Sequence, residues 1–156
     1  MRNLPSKASS RIALNTSLLT VAIGIFFLTI NLREEVLLQK IVAIQLVLPI
    51  PLFLTSTLAY SKIGYRMQIE KWDTLGWMTF ILGYAFLLNV IGILIGYISG
   101  IVVAMIFFAC SWILAVIYSL VDITYNKSAI KERLCKDILF ISIQFVFGVL
   151  VVLGFF

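Results

Sequence analysis

Residues 74–121 read TLGWMTFILGYAFLLNVIGILIGYISGIVVAMIFFACSWILAVIYSLV, 48 consecutive residues without a charged side chain. An α-helix needs about 20 apolar residues to cross the ~30 Å hydrocarbon core of a bilayer, so this stretch is long enough for two crossings. A turn between them is predicted at residues 96–100, because the two glycines there tolerate positive φ and Tyr97 suits the level of the lipid headgroups. The stretch therefore predicts a tight hairpin of two transmembrane helices, at about 74–97 and 101–121.

Three further charge-free intervals flank this hairpin. Residues 12–32 and 41–61 each hold 21 residues without a charged side chain, and residues 138–156 hold 19. Each interval is long enough for one crossing, and helices satisfy their backbone hydrogen bonds internally, as a segment in lipid must. We therefore predict an all-α polytopic membrane protein: a single transmembrane domain over residues 1–156, a bundle of five helices with no soluble domain.

The composition excludes several classes of protein. Of the 156 residues, 62% are apolar and 12% are charged, and the mean hydropathy is +1.12, which does not fit a soluble globular domain. The net charge of +5 is spread between apolar segments, so no nucleic-acid partner is expected. The chain contains no histidine, and its two cysteines lie at different predicted depths, so we expect no metal site, no cofactor and no enzymatic activity.

Basic residues are unevenly divided between the two sides that five crossings define. The N-terminal tail and the second and fourth loops carry ten Lys or Arg, whereas the first and third loops carry two. The positive-inside rule then predicts a plasma (inner) membrane protein with a cytoplasmic N-terminus and an outward C-terminus. The basic loop residues are candidates for contact with anionic lipid or with a membrane or cytosolic protein partner: Lys62, Arg66, Lys71, Lys127, Lys131, Arg133 and Lys136.

Small residues suggest where the helices pack, since helices in lipid associate through close backbone approach. On the first helix they fall within one arc: Ala13, Ser17, Thr20, Gly24 and Asn31. Gly92 and Gly96 form a G-x-x-x-G pattern on the third helix. The candidate packing residues are Gly24, Gly92, Gly96, Ser111 and Gly148.

The second helix is the most polar and the most irregular. Gln45 and Ser56 share a face with Pro49 between them, and Pro51 follows, so a kink is expected. The kink has two interpretations: a gate in a solute pathway, or a static bend used for packing.

Asn89 on the third helix and Gln144 on the fifth carry the same ambiguity. Each either lines a pathway or forms a hydrogen bond to a neighbouring helix. The pathway candidates are therefore Gln45, Pro49, Pro51, Ser56, Asn89 and Gln144.

The absence of ionisable residues from the predicted spans restricts the function further. Proton-driven carriers keep a carboxylate or histidine in the membrane, and voltage sensors keep a series of arginines. The leading expectation is thus a homo-oligomeric channel or facilitator for an ion or small solute, without proton coupling. The alternatives are a non-catalytic membrane subunit or sensor that binds a partner through its basic cytoplasmic loops, and a binder of lipid or of another apolar ligand.

Overall fold

The computed structural model of this chain describes residues 4–32, 40–64, 69–125 and 130–155. In these ranges every regular element is helical. The elements are α1 (Leu4–Leu32), α2 (Lys40–Val47), α3 (Pro49–Gly64), α4 (Ile69–Ser99), α5 (Ile101–Tyr125), α6 (Ile130–Gln144), a π-helix (Phe145–Val149) and α7 (Leu150–Val152).

Five helical stretches among the described residues are long and apolar enough to span a membrane: Ala8–Ile30, Lys40–Ile63, Ile69–Ser99, Ile101–Thr124 and Arg133–Val152. The all-helical class and the number of long apolar helices predicted from charge spacing are therefore confirmed. Several helices extend beyond the charge-free intervals: α1 begins at Leu4 rather than at residue 12, and α4 at Ile69 rather than at 74. A charged side chain ends the hydrocarbon crossing, but it does not interrupt the backbone hydrogen bonds of a helix.

The turn between α4 and α5 is shorter than predicted. Residues 96–99 are helical, and Gly100 alone separates the two helices, with φ +94°. Its N–H donates to the carbonyl of Gly96 (3.0 Å), and its own carbonyl accepts from the N–H of Ala104 (3.3 Å). One glycine in the left-handed region is therefore sufficient to reverse the chain.

The last helix ends earlier than the predicted residue 156. Gly154 has φ +79°, and its N–H donates to the carbonyl of Val151 at 3.0 Å. The N–H of Phe155 donates to the carbonyl of Leu150, also at 3.0 Å. These two bonds form a Schellman cap, which ends α7 at Val152.

The second predicted span is interrupted at Leu48, between α2 and α3. Pro49 and Pro51 each lack the N–H that a helix needs at that position, which is the physical cause of the interruption. Two helical bonds nevertheless run across it, from the N–H of Leu48 to the carbonyl of Ile44 (3.0 Å) and from the N–H of Leu52 to the carbonyl of Leu48 (3.3 Å).

The chain forms two compact units, Met1–Leu87 and Leu88–Phe156, whose boundary lies within α4. In the first unit α1 runs antiparallel to α2 and α3, as the contact between Asn15 and Ser56 shows. The buried residues of α1 include a series spaced by seven: Ala8, Asn15, Ala22 and Thr29. A second buried series with the same spacing lies on α2 and α3: Val42, Pro49, Ser56 and Ile63. Such heptad spacing is typical of a left-handed helical pair.

The face of α1 predicted from its small residues is not the face that packs within this chain. Ala13, Ser17, Thr20 and Gly24 are all exposed. A Cβ added at Gly24 would meet no described atom within 4 Å. The Asn31 side chain lies outside the described residues.

Aromatic rings of α3 pack against glycines of α4. A Cβ at Gly76 would lie 3.0 Å from the Tyr60 ring, and one at Gly83 would lie 3.2 Å from the Phe53 ring. The two rings are seven residues apart, as are the two glycines, so the same contact occurs twice along an antiparallel pair. A glycine lets each ring pack closely against the backbone of α4, and a methyl there would require the ring to shift by a few tenths of an ångström.

In the second unit, the end of α4 and the beginning of α5 form the predicted hairpin. A Cβ at Gly96 would lie 3.3 Å from the Cβ of Ala104, and one at Gly92 would overlap the ring of Phe108. Both pairs are centred on Gly100, as expected for antiparallel neighbours joined by a single residue. A Cβ at Gly96 would also lie 3.4 Å from the Cγ1 of Val152 in α7.

Candidate functional site

The buried polar groups of the first unit form a lock between three helices. The Nδ2 of Asn15 donates to the Oγ of Ser56 (2.8 Å), and that hydroxyl donates to the backbone carbonyl of Gly76 (2.7 Å). The hydroxyl of Thr79 donates to the same carbonyl at 3.2 Å. Because the Ser56 hydroxyl accepts one hydrogen bond and donates another, it joins α1, α3 and α4.

The other pathway candidates of the second predicted span, which forms α2 and α3, lie on different sides of these helices. Gln45 and Pro49 are buried, whereas Pro51 is exposed. The hydroxyl of Thr55 donates a hydrogen bond to the carbonyl of Pro51 at 2.8 Å, within α3 itself. Pro51 and the polar residues therefore do not face one common interior surface.

In the second unit, Asn89 of α4 contacts the last helical segment at two points. Its side chain is fully buried, and its Nδ2 donates to the backbone carbonyl of Ile143 at 3.3 Å. A Cβ at Gly148 would lie 2.7 Å from the Oδ1 of Asn89. The Asn89 carboxamide thus lies along the surface of the chain from α6 into the π-helix.

Gln144 is the most unusual polar residue among those described. It is 0% exposed, and neither its Oε1 nor its Nε2 has a hydrogen-bond partner among the described residues. Gln144 and Gly148 are both buried, so both lie on the inward side of the helical segment that Asn89 contacts. An unpaired buried amide costs about 1–3 kcal/mol, so a residue of this kind calls for a physical reason.

The backbone beside Gln144 is also irregular. The π-helix begins at Phe145, directly after Gln144, and the N–H of Leu150 donates to the carbonyl of Phe145, five residues earlier. Such a bond widens the helix by one residue per turn. Single π-turns inside α-helices occur often at functional sites. Here the π-turn coincides with the buried carboxamides.

The ring of Phe108 of α5 and the Oδ1 of Asn89 both lie beside Gly148. Its side chain is 0% exposed. The Cζ edge of its ring lies between Gly92 of α4 and Gly148 of the π-helix, and a Cβ at Gly148 would stand 2.7 Å from that edge. The tip of the ring therefore lies close to the backbone of both glycines, Gly92 and Gly148, which are two of the candidate packing residues.

Ser111 and Gly96, two further packing candidates, differ in their surroundings. Gly96 lies at a close helix contact in the second unit, as described above. The hydroxyl of Ser111 donates to the carbonyl of Phe107 at 2.9 Å, a bond within α5. Ser111 therefore satisfies its own polar group without a second helix.

Charged and aromatic residues hold the end of α5 to the beginning of α6. Arg133 forms an ion pair with Asp122 and lies 5.8 Å from the ring centroid of Tyr118. The hydroxyl of Ser119 donates to Asp137 at 2.7 Å. Arg133, a candidate for partner contact, is thus engaged within its own unit.

The remaining basic candidates are less enclosed. Lys62, Lys71 and Lys131 are exposed, and Lys136 is half-buried. Arg66 and Lys127 lie outside the described residues. Within the described ranges, no group of three or more Cys, Asp or Glu side chains is placed to hold a metal ion.

Two residues that shape these contacts were not identified from the sequence. Phe108 is one of 12 phenylalanines. Only its position could have indicated that it pairs with Gly92: Phe108 follows Gly100 by eight residues, and Gly92 precedes Gly100 by eight. Arg11 was treated only as a topological charge, but its guanidinium lies 5.8 Å from the ring centroids of both Tyr60 and Phe80.

No family model, curated protein or solved structure matches this chain, so its function has to be inferred from these side chains alone.

Proposed function

We propose that this chain is a membrane facilitator for a small solute, which works without proton coupling and as a homo-oligomer. The observation that carries the proposal is Gln144, whose carboxamide is fully buried with neither amide atom paired among the described residues. Keeping such a group in apolar surroundings lowers stability, and a transient partner that offers a donor and an acceptor would offset that cost.

In this proposal, the Phe108 side chain blocks the solute route when the route is closed. Its ring edge lies between Gly92 and Gly148, next to the face that carries Gln144. Rotation of a phenyl side chain away from two glycine backbones leaves a gap without moving a helix, because glycine has no side chain to refill it. Apolar constrictions that open in this way are a known means of gating a pore.

The composition of the two segments that form this region argues against proton coupling. Residues 74–121 and 138–156 contain no Asp, Glu, Lys, Arg or His. A carrier coupled to protons needs a titratable group along its route. In this proposal the route next to Gln144 therefore has hydrogen-bonding groups but no carboxylate or imidazole to carry a proton.

Assembly from several copies is supported by the exposed surfaces of two long helices. Most of the described side chains of α1 and α5 are exposed, among them Leu28, Ile113 and Leu114. In a bilayer such surfaces contact lipid or a second copy of the chain. The proposed orientation remains that of the positive-inside rule, with the N-terminus in the cytoplasm of a cell whose plasma membrane holds the protein.

The test is solute flux into liposomes that contain the purified chain. We expect Phe108→Ala to raise the flux of small neutral solutes about tenfold over the unmodified chain, since a tenfold rate corresponds to removing ~1.4 kcal/mol from the barrier. The matched control is Phe53→Ala, which removes a ring seated on Gly83 in the first unit, where no unpaired glutamine is present among the described side chains. We expect this control to leave the flux unchanged.

The proposal is contradicted if the unmodified chain and Phe108→Ala both give the rate of empty vesicles for neutral solutes, cations and anions alike. Equal acceleration by Phe108→Ala and Phe53→Ala would also contradict it, because loosened packing rather than an opened route would then explain the flux.

A second function, binding of a partner protein to the basic loops, has its own supporting observation. Lys71 and Lys131 are exposed in the first turns of α4 and α6, in segments that the positive-inside rule predicts to face the cytoplasm. Arg133, in contrast, is already paired with Asp122. Charge reversal at Lys71 and Lys131 is the discriminating change: loss of a stoichiometric companion during purification from native membranes would support this function, and an unaltered homo-oligomer would oppose it.

A further inference from the structure

We infer that the solute is a planar amide of the urea or primary carboxamide type, rather than an ion or a polyol. The inference rests on the proposed function, and it identifies the class of molecule that the same region accepts. It follows from three features of the second unit: the chemistry of Gln144, the absence of charge in the segments around it, and the shape of the gap that Phe108 fills.

The unpaired groups of Gln144 define a complementary partner. The Nε2 carries two N–H donors and the Oε1 is an acceptor, and all of these lie in one plane. A second amide satisfies both atoms at once: its carbonyl oxygen accepts from Nε2 while its own N–H donates to Oε1. A solute with only acceptors or only donors would leave one buried atom of Gln144 unpaired, at a cost in affinity.

The lack of charge excludes ions as the preferred solute. Removing an ion from water into apolar surroundings is very unfavourable unless opposite charge or several oriented ligands replace the hydration shell. Asp, Glu, Lys, Arg and His are absent from residues 74–121 and 138–156, which supply the part of α4 and α5 in this region and the π-helix. A neutral solute has no such requirement.

The gap itself favours a flat molecule. The Phe108 ring enters edge-first, with its Cζ edge close to both Gly92 and Gly148. A Cβ added at either glycine would lie less than 3 Å from the ring tip, so the ring approaches both backbones closely. A planar amide fits the same space, whereas a polyol with tetrahedral carbons is thicker in every orientation.

Asn89 provides a second point of contact beside the gap. Its Nδ2 is held by the carbonyl of Ile143, which fixes the plane of its carboxamide, and its Oδ1 faces the surface of Gly148. A solute that passes Gly148 therefore moves along an oriented acceptor. Two carboxamides, one fixed at Asn89 and one unpaired at Gln144, thus lie on the inward side of the last helical segment.

The experiment compares solutes in liposomes containing the full chain and, separately, its Phe108→Ala variant. The probes are urea, acetamide, glycerol, potassium and chloride. We expect urea and acetamide to enter faster than glycerol, and potassium and chloride to enter at the rate of empty vesicles. Gln144→Met, which keeps the length of the side chain but removes both amide groups, should lower the urea-to-glycerol flux ratio about tenfold, as expected for losing two hydrogen bonds.

Ser111→Ala is the matched control, because it removes a polar group of the same unit that is already satisfied within α5. It should leave the urea-to-glycerol ratio unchanged. A second measurement does not depend on any variant at Gln144: acetamide added in excess should slow urea entry through Phe108→Ala, since both compete for the same carboxamide.

The outcomes separate the inference from the function on which it rests. A ratio unchanged by Gln144→Met, absence of competition by acetamide, or faster entry of potassium or chloride than of urea would overturn the amide assignment and leave the facilitator in place. Entry of every probe at the rate of empty vesicles, with both proteins, would remove the facilitator itself.

Discussion

The two units of this chain use the same packing contact but treat their buried polar groups differently. In the first unit, aromatic rings lie on Gly76 and Gly83, and in the second the Phe108 ring lies between Gly92 and Gly148. Beside the first set, the amide of Asn15 donates to Ser56, although its Oδ1 has no partner among the described residues. Beside the second, both amide atoms of Gln144 lack such a partner.

This difference separates a fixed contact from one that can change. A hydroxyl that accepts from one helix and donates to another holds both helices in one register, because any sliding breaks two bonds. An unpaired carboxamide next to a π-turn imposes no such constraint. Under the proposed function, we therefore interpret the first unit as a scaffold and the second as the unit that carries the solute. The two units should then respond differently to substitution.

The largest expected effect is on stability, from Gly148→Ala. The added methyl would lie 2.7 Å from both the Oδ1 of Asn89 and the Phe108 ring, so it must displace both and weaken the bond to Ile143. We expect a loss of about 3 kcal/mol in the free energy of unfolding, measured by titrating the purified protein with denaturing detergent.

Gly83→Ala is the comparison in the first unit. Its methyl would meet Leu52 and Phe53 at 3.2 Å, a distance that small shifts can relieve. We expect a loss of less than about 1 kcal/mol. Equal losses at the two glycines would show that the Phe108 gap is no tighter than the contact of Phe53.

Ser56→Ala should have the next largest effect. The change leaves the Nδ2 of Asn15 without its partner and removes a hydroxyl bond to the carbonyl of Gly76. We expect a loss of about 2 kcal/mol in the free energy of unfolding. Thr55→Ala is the control, since the Thr55 hydroxyl bonds only within α3, and its removal should cost less than about 0.5 kcal/mol. A similar loss from both variants would argue against a lock.

Gln144→Met should change stability in the opposite direction. Replacing an unpaired buried carboxamide by an apolar side chain of similar length removes a desolvation cost, so we expect a gain of about 1–2 kcal/mol in the same denaturation assay. A polar-to-apolar change would thus destabilise the first unit at Ser56 and stabilise the second at Gln144. Destabilisation by Gln144→Met would mean that the carboxamide has a structural partner, and the distinction between the units would fail.

The sequence predicted the number and class of the helices well, because charge spacing reports directly on which segments can enter lipid. It predicted the packing faces less well, and α1 shows why. The small residues Ala13, Ser17, Thr20 and Gly24 form a narrow arc, but that arc is exposed. The face that packs is marked by a seven-residue repeat shared by two helices, and one helix examined alone does not reveal its partner.

The candidate site shows a similar limit. Asn89 and Gln144 were identified because polar residues are rare in apolar segments, and both are fully buried. Which groups they meet was not predictable, since the π-turn after Gln144 changes the direction of every following side chain. Phe108 has no distinctive chemistry among the phenylalanines; the hairpin centred on Gly100 places it opposite Gly92, and the packing of the π-helix brings Gly148 to the same ring.

The smallest effect is expected at Gly24, on the face of α1 that packs against nothing described in this chain. Gly24→Ala adds a methyl with no described atom within 4 Å and improves helix propensity, so stability should rise by less than about 1 kcal/mol. The same face also bears on assembly. Gly24→Leu should leave the fold unchanged, and the detergent-corrected mass of the particle then shows whether copies meet there: a smaller particle places the face at an interface between copies, and an unchanged mass places it against lipid.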